Sequence, residues 1–533
     1  METDLIIYVS LVLMVAFLVL IARKLSIAYP ILLVVAGLAL SFIPGIPNVR
    51  IDPDIVFLII LPPILFDAAQ QYSWRALWKW RRMVSVMAFG YVLLTSTFVA
   101  IVSCWLIPGF TMAQGFLLGA IISPPDAAAA TAILKKLKLP KGLVSILEGE
   151  SLLNDAASLT IFRFALAAVV SNQFVWYEAL GTFAVITVSG IAIGAAIGML
   201  YYALYKWLPT TSDLDVTLLL VLPYLNYIVA EELGSSGVIA VVTAGLLLSS
   251  QTHFVLPHSS RLKSNAILPS ITFILNAIVF FLIGIQFPGI MKGLKDIPLS
   301  EALKIALIIA ALIMLVRLVA GHISGIFTSF ISKYIKVAVP HPGWRNPMII
   351  SWIGMRGVVS LASALSIPLV IPGGGEFPFR SLILFITYIV IIVTLVGQGL
   401  TLPWVIKTIK PEKIPGEVED HDQLMAIEKY LFNAAHDKFS SSYAKDALEN
   451  RMIQHKLELM AFKVGVYEGL DDDYQKEKVR AMVRHFNKVM MEVLEHERRH
   501  LIHFCRRDEF DDDVIRIMER RLDLKEETLE DHL

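Results

Sequence analysis

MAQGFLLGAIISPPDAAAATAIL, residues 112–134, is an apolar run long enough to cross a bilayer, and Ser123-Pro124-Pro125-Asp126 interrupts it near its middle. About 20 apolar residues cover the ~30 Å of hydrocarbon as a helix. Proline removes a helical hydrogen bond and clashes with the preceding turn, so the run predicts a broken span. A second run, 347–371, carries Gly354-Met355-Arg356-Gly357 at its centre, where glycine weakens a helix. Outward from these two, apolar segments recur along the first 410 residues. They predict about thirteen spans, at 5–22, 28–44, 54–71, 83–107, 112–134, 143–170, 179–205, 215–232, 236–251, 268–287, 300–330, 347–371 and 380–406. The fold class is an all-α polytopic membrane protein. If spans 1–6 and 8–13 are inverted repeats joined by span 7, the broken spans 5 and 12 are equivalent. Interrupted helices at matching places in two halves point to a transport site at the membrane midplane.

Composition agrees. Of 533 residues, 56% are hydrophobic and 17% charged, with a mean hydropathy of +0.67. A soluble domain carries about 25% charge. A soluble globular enzyme, a disordered chain and a disulfide scaffold are excluded, and the two cysteines, Cys104 and Cys505, have no zinc or redox spacing. Without a phosphate-binding loop, an HExxH run or a Ser/His pair, no cofactor, enzymatic or nucleic-acid role is expected.

The balance of 46 basic and 46 acidic residues hides an asymmetry. From Pro411 onward there are 20 basic and 29 acidic residues, which leaves 26 and 17 before it. Long apolar runs stop at Lys410-Pro411, so the sequence divides into a membrane domain, 1–410, and a helical tail, 411–533. With the N-terminus outside, the inner loops hold sixteen basic residues, among them Arg75, Lys79, Arg81, Arg82, Lys135, Lys136, Lys138 and Lys336. The outer loops hold four: Arg50, Lys292, Lys295 and Arg380. That positive-inside bias orients the chain and puts the tail in the cytoplasm, with the plasma membrane the expected location. The tail holds eight of the twelve histidines, including His496, His500 and His532, and a pH-regulatory role is one reading of it.

A charge at mid-membrane is costly and marks a pathway or a partner. The richest stretch is Glu148-Gly149-Glu150-Ser151-Leu152-Leu153-Asn154-Asp155. On a helix Ser151 and Asp155 share one face, and Glu150 and Asn154 the next. A small hard cation takes oxygen ligands, which Asp155 and Ser151 supply. Asp67, after Pro62-Pro63, is a candidate second ligand or proton relay. Asp126 either binds the ion or caps an exposed half-helix. Arg356 is expected to pair with Glu150 or Glu148 as an architectural charge, with Arg317 in a similar part and Arg163 a bystander.

The runs EGESLLND at 148–155, SPPD at 123–126, LPPILFDA at 61–68 and GMRGVVSLA at 354–362 together resemble the monovalent cation:proton antiporter-1 family of Na+/H+ exchangers. The resemblance implies alternating-access exchange of Na+ for H+, for pH and sodium homeostasis. It also implies a homodimer with dimerisation and core subdomains, and two unwound helices crossing near the site. It assigns Asp155, Asn154 and Ser151 to the ion, Asp67 to the acidic position of the third span, and Glu150 with Arg356 to a structural pair. Relatives carry Ser-Pro-Thr-Asp where this chain has Pro125, so one hydroxyl ligand is missing. A desolvated carboxylate holds a proton or a cation, not both. Asn154 cannot titrate, so one-for-one, electroneutral exchange is expected. The alternatives are K+/H+ or broad cation exchange that includes Li+, and a membrane sensor with the tail as output.

Overall fold

The computed structural model describes residues 2–530 apart from 26, 44–51, 127–129, 132–133, 135–138, 172–175, 295–296, 336, 338, 372–374, 416, 418–419, 444–448, 469–472 and 505–511. Arg50, Lys135, Lys136, Lys138, Lys295, Lys336, Cys505, His532 and part of the second half of span 5 lie outside the described residues. Two compact units result, Met1–Glu417 and Val418–Leu533.

The first unit is helical: α1 (Glu2–Lys24), α2 (Tyr29–Leu40), α3 (Pro53–Gln71), α4 (Trp74–Leu106), α5 (Met112–Ile122), α6 (Lys141–Ser171), α7 (Trp176–Trp207), α8 (Ser212–Glu232), α9 (Gly237–Val255), α10 (His258–Ile285), α11 (Leu299–Ile331), α12 (Arg345–Trp352), α13 (Val358–Leu365) and α14 (Arg380–Ile409). Eight helices among the described residues are long and apolar enough to cross a membrane. They are α3, α4, α6, α7 from Gly181, α8, α10, α11 and α14. α2, α5 and the Gly237–Thr252 part of α9 are apolar but shorter.

Local chemistry sets the ends of the helices that matter most. Thr111 caps α5 with a capping box: its hydroxyl accepts from the Gln114 backbone N–H, and the Gln114 side-chain Oε1 accepts from the Thr111 N–H. α5 then stops at Ile122, ahead of Pro124 and Pro125, which have no N–H to continue it. Between α12 and α13 the residues Ile353–Gly357 are not helical. Helices α3, α4 and α14 each contain a π-helical segment, at Val56–Ile60, Val86–Tyr91 and Val393–Gln398. Such segments disturb the helical ladder and recur at functional sites.

Two apolar cores form among the described residues. One draws on α1, α2, the start of α3, α4, α5, α10, α11, α12, α13 and α14, and the other on the rest of α3, α7, α8, α9 and Leu268 of α10. α6 joins both: Ile146, Leu147 and Phe162 enter the first core, and Leu152 and Ala156 the second. The helix with the richest run of polar residues thus lies on the seam between the cores.

Residues 411–415 and 417 belong with the membrane unit rather than with the tail. Asn346 and Glu412 exchange two hydrogen bonds, Glu417 accepts from the Gly142 N–H at 3.0 Å, and Ile414 is buried. The second unit contains α15 (Asp420–Ser442), α16 (Arg451–Glu468), α17 (Asp473–Phe504) and α18 (Asp512–Glu530). Arg498 of α17 clamps α18 through Glu526 at 2.7 Å and Asp523 at 2.5 Å. Those hydrogen bonds hold its guanidinium above the ordinary arginine value.

Candidate cation-binding site

The two interruptions meet. The Asp126 N–H, just past the end of α5, donates to the Met355 carbonyl between α12 and α13 at 2.7 Å. Each break frees backbone groups that a helix would have used, and here one satisfies the other. The Asp126 carboxylate lies against Gly357, at the start of α13. A Cβ on residue 357 would overlap it, so only glycine leaves it room. This position fits the capping role, since a helix N-terminus carries partial positive charge.

α6 passes beside the breaks. Asn154 is fully buried, and its amide N–H donates to the Pro125 carbonyl at 2.8 Å. Ser158, one turn on, donates to the Ala120 carbonyl at 2.7 Å. These two bonds fix the register of α6 against the broken end of α5. The Asn154 Oδ1 is buried without a hydrogen-bond partner among the described residues. A buried acceptor without a donor is costly and asks for a ligand. Asp155 is 8% exposed and close enough to Asp126 for the two charges to interact. Ser151 is half-buried, one turn before Asp155. Asp155, Asn154 and Asp126 are therefore brought together.

Asp67 is buried on α3, and its carboxylate accepts from Gln71 at 2.7 Å, one turn along the same helix. That bond is local and does not by itself join Asp67 to Asp155.

The expected Glu150–Arg356 pair is corrected. Glu150 forms a two-pronged salt bridge with Arg317 of α11, Nη1 to Oε1 at 2.7 Å and Nη2 to Oε2 at 2.8 Å, and both side chains are at most 3% exposed. The planar guanidinium matches a carboxylate with two parallel bonds. Arg356 instead serves the breaks. It donates to the carbonyls of Ile122 at 2.9 Å, Gly354, and Ser123 at 3.5 Å, and its own N–H donates to Thr394 Oγ1 at 3.2 Å. Ile122 is the last residue of α5, so Arg356 takes up carbonyl oxygens that the breaks leave over. Thr394 sits in the π-helical segment of α14. Sequence reasoning gave the two arginines similar parts; spacing along one chain does not reveal which arginine faces which helix. Arg163, expected as a bystander, forms an ion pair with Glu231 of α8 at 2.6 Å, and Glu231 also accepts from the Gly237 N–H at the start of α9. Ser158, Thr394 and Glu231 went unnoticed in the sequence. Ser158 was legible as the next residue, at i+4, on the Asn154 face.

Comparison with known proteins identifies the family. Residues 10–408 match the family described as sodium/hydrogen exchanger, transmembrane. The chain belongs to that family, which consists of antiporters and not of enzymes. It is 29% identical to the Mycobacterium tuberculosis protein named uncharacterized Na(+)/H(+) exchanger Rv2287, over 99% of this chain and 96% of the relative. It is 34% identical to the sodium, potassium, lithium and rubidium/H(+) antiporter of Bacillus subtilis, over 70% of this chain and 57% of the relative. The structure of the sodium proton antiporter MjNhaP1 from Methanocaldococcus jannaschii superposes with a TM-score of 0.59 at 18% identity, covering 75% of this chain and all of that one. This last likeness concerns the fold.

Proposed function

We propose that this chain exchanges Na+ for H+, one for one, with Asp155 holding either ion in turn. The observation that carries the reading is the buried Asp155 next to Asn154, whose Oδ1 has no hydrogen-bond partner among the described residues, at a place where two broken helices meet. Asp155 and Asn154 Oδ1 supply hard oxygen ligands, and Ser151 adds a hydroxyl. Asp67 and Asp126 stand as further candidates for the ion or the proton. Asn154 cannot titrate, and one titrating carboxylate gives electroneutral exchange. If the core around α5, α6 and α11–α14 moves only when Asp155 is neutralised by an ion, every passage carries cargo.

This reading places thirteen spans in the membrane, with inverted repeats around span 7, the N-terminus outside and the tail in the cytoplasm. It makes the protein a plasma-membrane homodimer that serves pH and sodium homeostasis. Broad selectivity, with K+ and Li+ among the substrates, is the second reading. It is favoured by Pro125, which removes a hydroxyl from the site, and by the name of the Bacillus subtilis relative.

Reconstitution in sealed liposomes with a lumenal pH dye tests both. Imposed Na+, K+ or Li+ gradients should change lumenal pH in wild type and not in Asp155→Asn. The ion that drives the change decides between the readings. No change with any ion in wild type, at any pH tried, would overturn exchange and leave the sensor reading.

A further inference from the structure

The cytoplasmic-side start of α4 carries a surface that neither the core nor the cation site uses. Trp74-Arg75-Ala76-Leu77-Trp78-Lys79-Trp80-Arg81-Arg82 has three tryptophans, four basic residues and no acid. α4 is 33 residues long, about 50 Å at 1.5 Å per residue, against ~30 Å of hydrocarbon. The apolar part from Met83 to Leu106 is enough to cross, which leaves residues 74–82 at the level of the lipid headgroups.

This short stretch has two faces. Trp80 and Val84 are buried against the start of α6, where Trp80 approaches Gly142 so closely that a Cβ there would meet its ring at 2.7 Å. Trp74 and Trp78, by contrast, are 50% and 60% exposed. Their rings stack at 6.4 Å, and the Arg81 guanidinium lies 4.4 Å over Trp78 while donating to its carbonyl. Between them opens a depression of about 420 Å³ lined by Trp74, Arg75, Trp78 and Lys79. These four are two i,i+4 pairs on one side of the helix, one aromatic and one basic. Packing does not require this arrangement, and a headgroup with a negative phosphate fits it. Tryptophan settles at the membrane interface, and basic residues beside a span attract anionic lipid.

We propose that this depression binds the headgroup of an anionic phospholipid from the surrounding bilayer, its phosphate between Arg75 and Lys79 and its glycerol against the Trp74–Trp78 pair. Because Trp80, on the other face of the same turns, packs on the start of α6, the bound lipid braces the helix that carries Asp155.

Native mass spectrometry of the purified full-length protein, given equal phosphatidylglycerol and phosphatidylcholine, tests the site. Wild type should retain phosphatidylglycerol preferentially. Arg75→Gln/Lys79→Gln should lower that retention by about twenty-five-fold, near fivefold per charge. Trp74→Ala/Trp78→Ala, with all four bases present, should also lower it. Melting temperatures in phosphatidylcholine should match wild type for both variants, which confirms that they fold. Equal retention of the two lipids by wild type, or unchanged phosphatidylglycerol retention in either variant, would overturn the proposal. Millimolar inorganic phosphate should not displace the lipid; if it does, the groove is a simple anion site and the proposal fails.

Discussion

Helix α6 carries an ion pair on each side of Asp155, and the two differ in kind. Glu150, five residues before it, meets Arg317 in a dry, two-pronged bridge. Arg163, eight residues after it, meets Glu231 with 46% and 28% of the side chains exposed. The first pair ties α6 to α11, and the second ties it to α8 beside the start of α9. A buried pair contributes little net stability but is costly to break, because the survivor is left charged and alone. An exposed pair contributes about 1 kcal/mol or less. The difference teaches which of the two contacts α6 could lose at small cost: the bond to α8, not the bond to α11.

Three substitutions sharpen or break this contrast. The largest effect is expected from Glu150→Gln, which leaves Arg317 buried without its countercharge and should cost about 3–5 kcal/mol. Thermal unfolding in detergent would show it as a large drop in melting temperature, and a shift of a few tenths of a degree would refute the architectural role. Gly357→Ala comes next. The added methyl overlaps the Asp126 carboxylate and should cost about 1–3 kcal/mol while displacing Asp126 from the crossing. Transport in liposomes should fall more than stability does; equal, small changes in both would mean that Asp126 has no part in the site. The smallest effect is expected from Glu231→Gln, with at most about 1 kcal/mol of stability lost. Its turnover should change while the melting temperature holds. A loss as large as that of Glu150→Gln would erase the distinction between the two ends of α6.

Much of the fold was legible because the bilayer imposes a length on every span and proline and glycine punctuate the exceptions. The ends of α5 and α12 fall where Pro124-Pro125 and Gly354 announced them. That Asp155 and Asn154 lie on neighbouring faces of one helix was legible from helical spacing alone. Partners across helices were not: Arg317 and Arg356 both lie far from Glu150 in sequence, and only packing decides between them. Arg356 was misassigned because sequence shows charges but not stranded carbonyls, such as those of Ile122 and Gly354. The strap at 411–415 and 417 escaped for a similar reason, since Glu412, Ile414 and Glu417 read as polar tail until Asn346 and Gly142 are seen beside them.

The central claim is that one carboxylate, Asp155, is shared by proton and cation. Counting the protons released when Na+ binds the purified protein in weakly buffered detergent solution tests it most directly. Where Asp155 is protonated, the account predicts one proton released per Na+ bound, an apparent Na+ affinity that weakens about tenfold for each unit of falling pH, and no release from Asp155→Asn. Two protons per ion, or release that persists in Asp155→Asn, would contradict it.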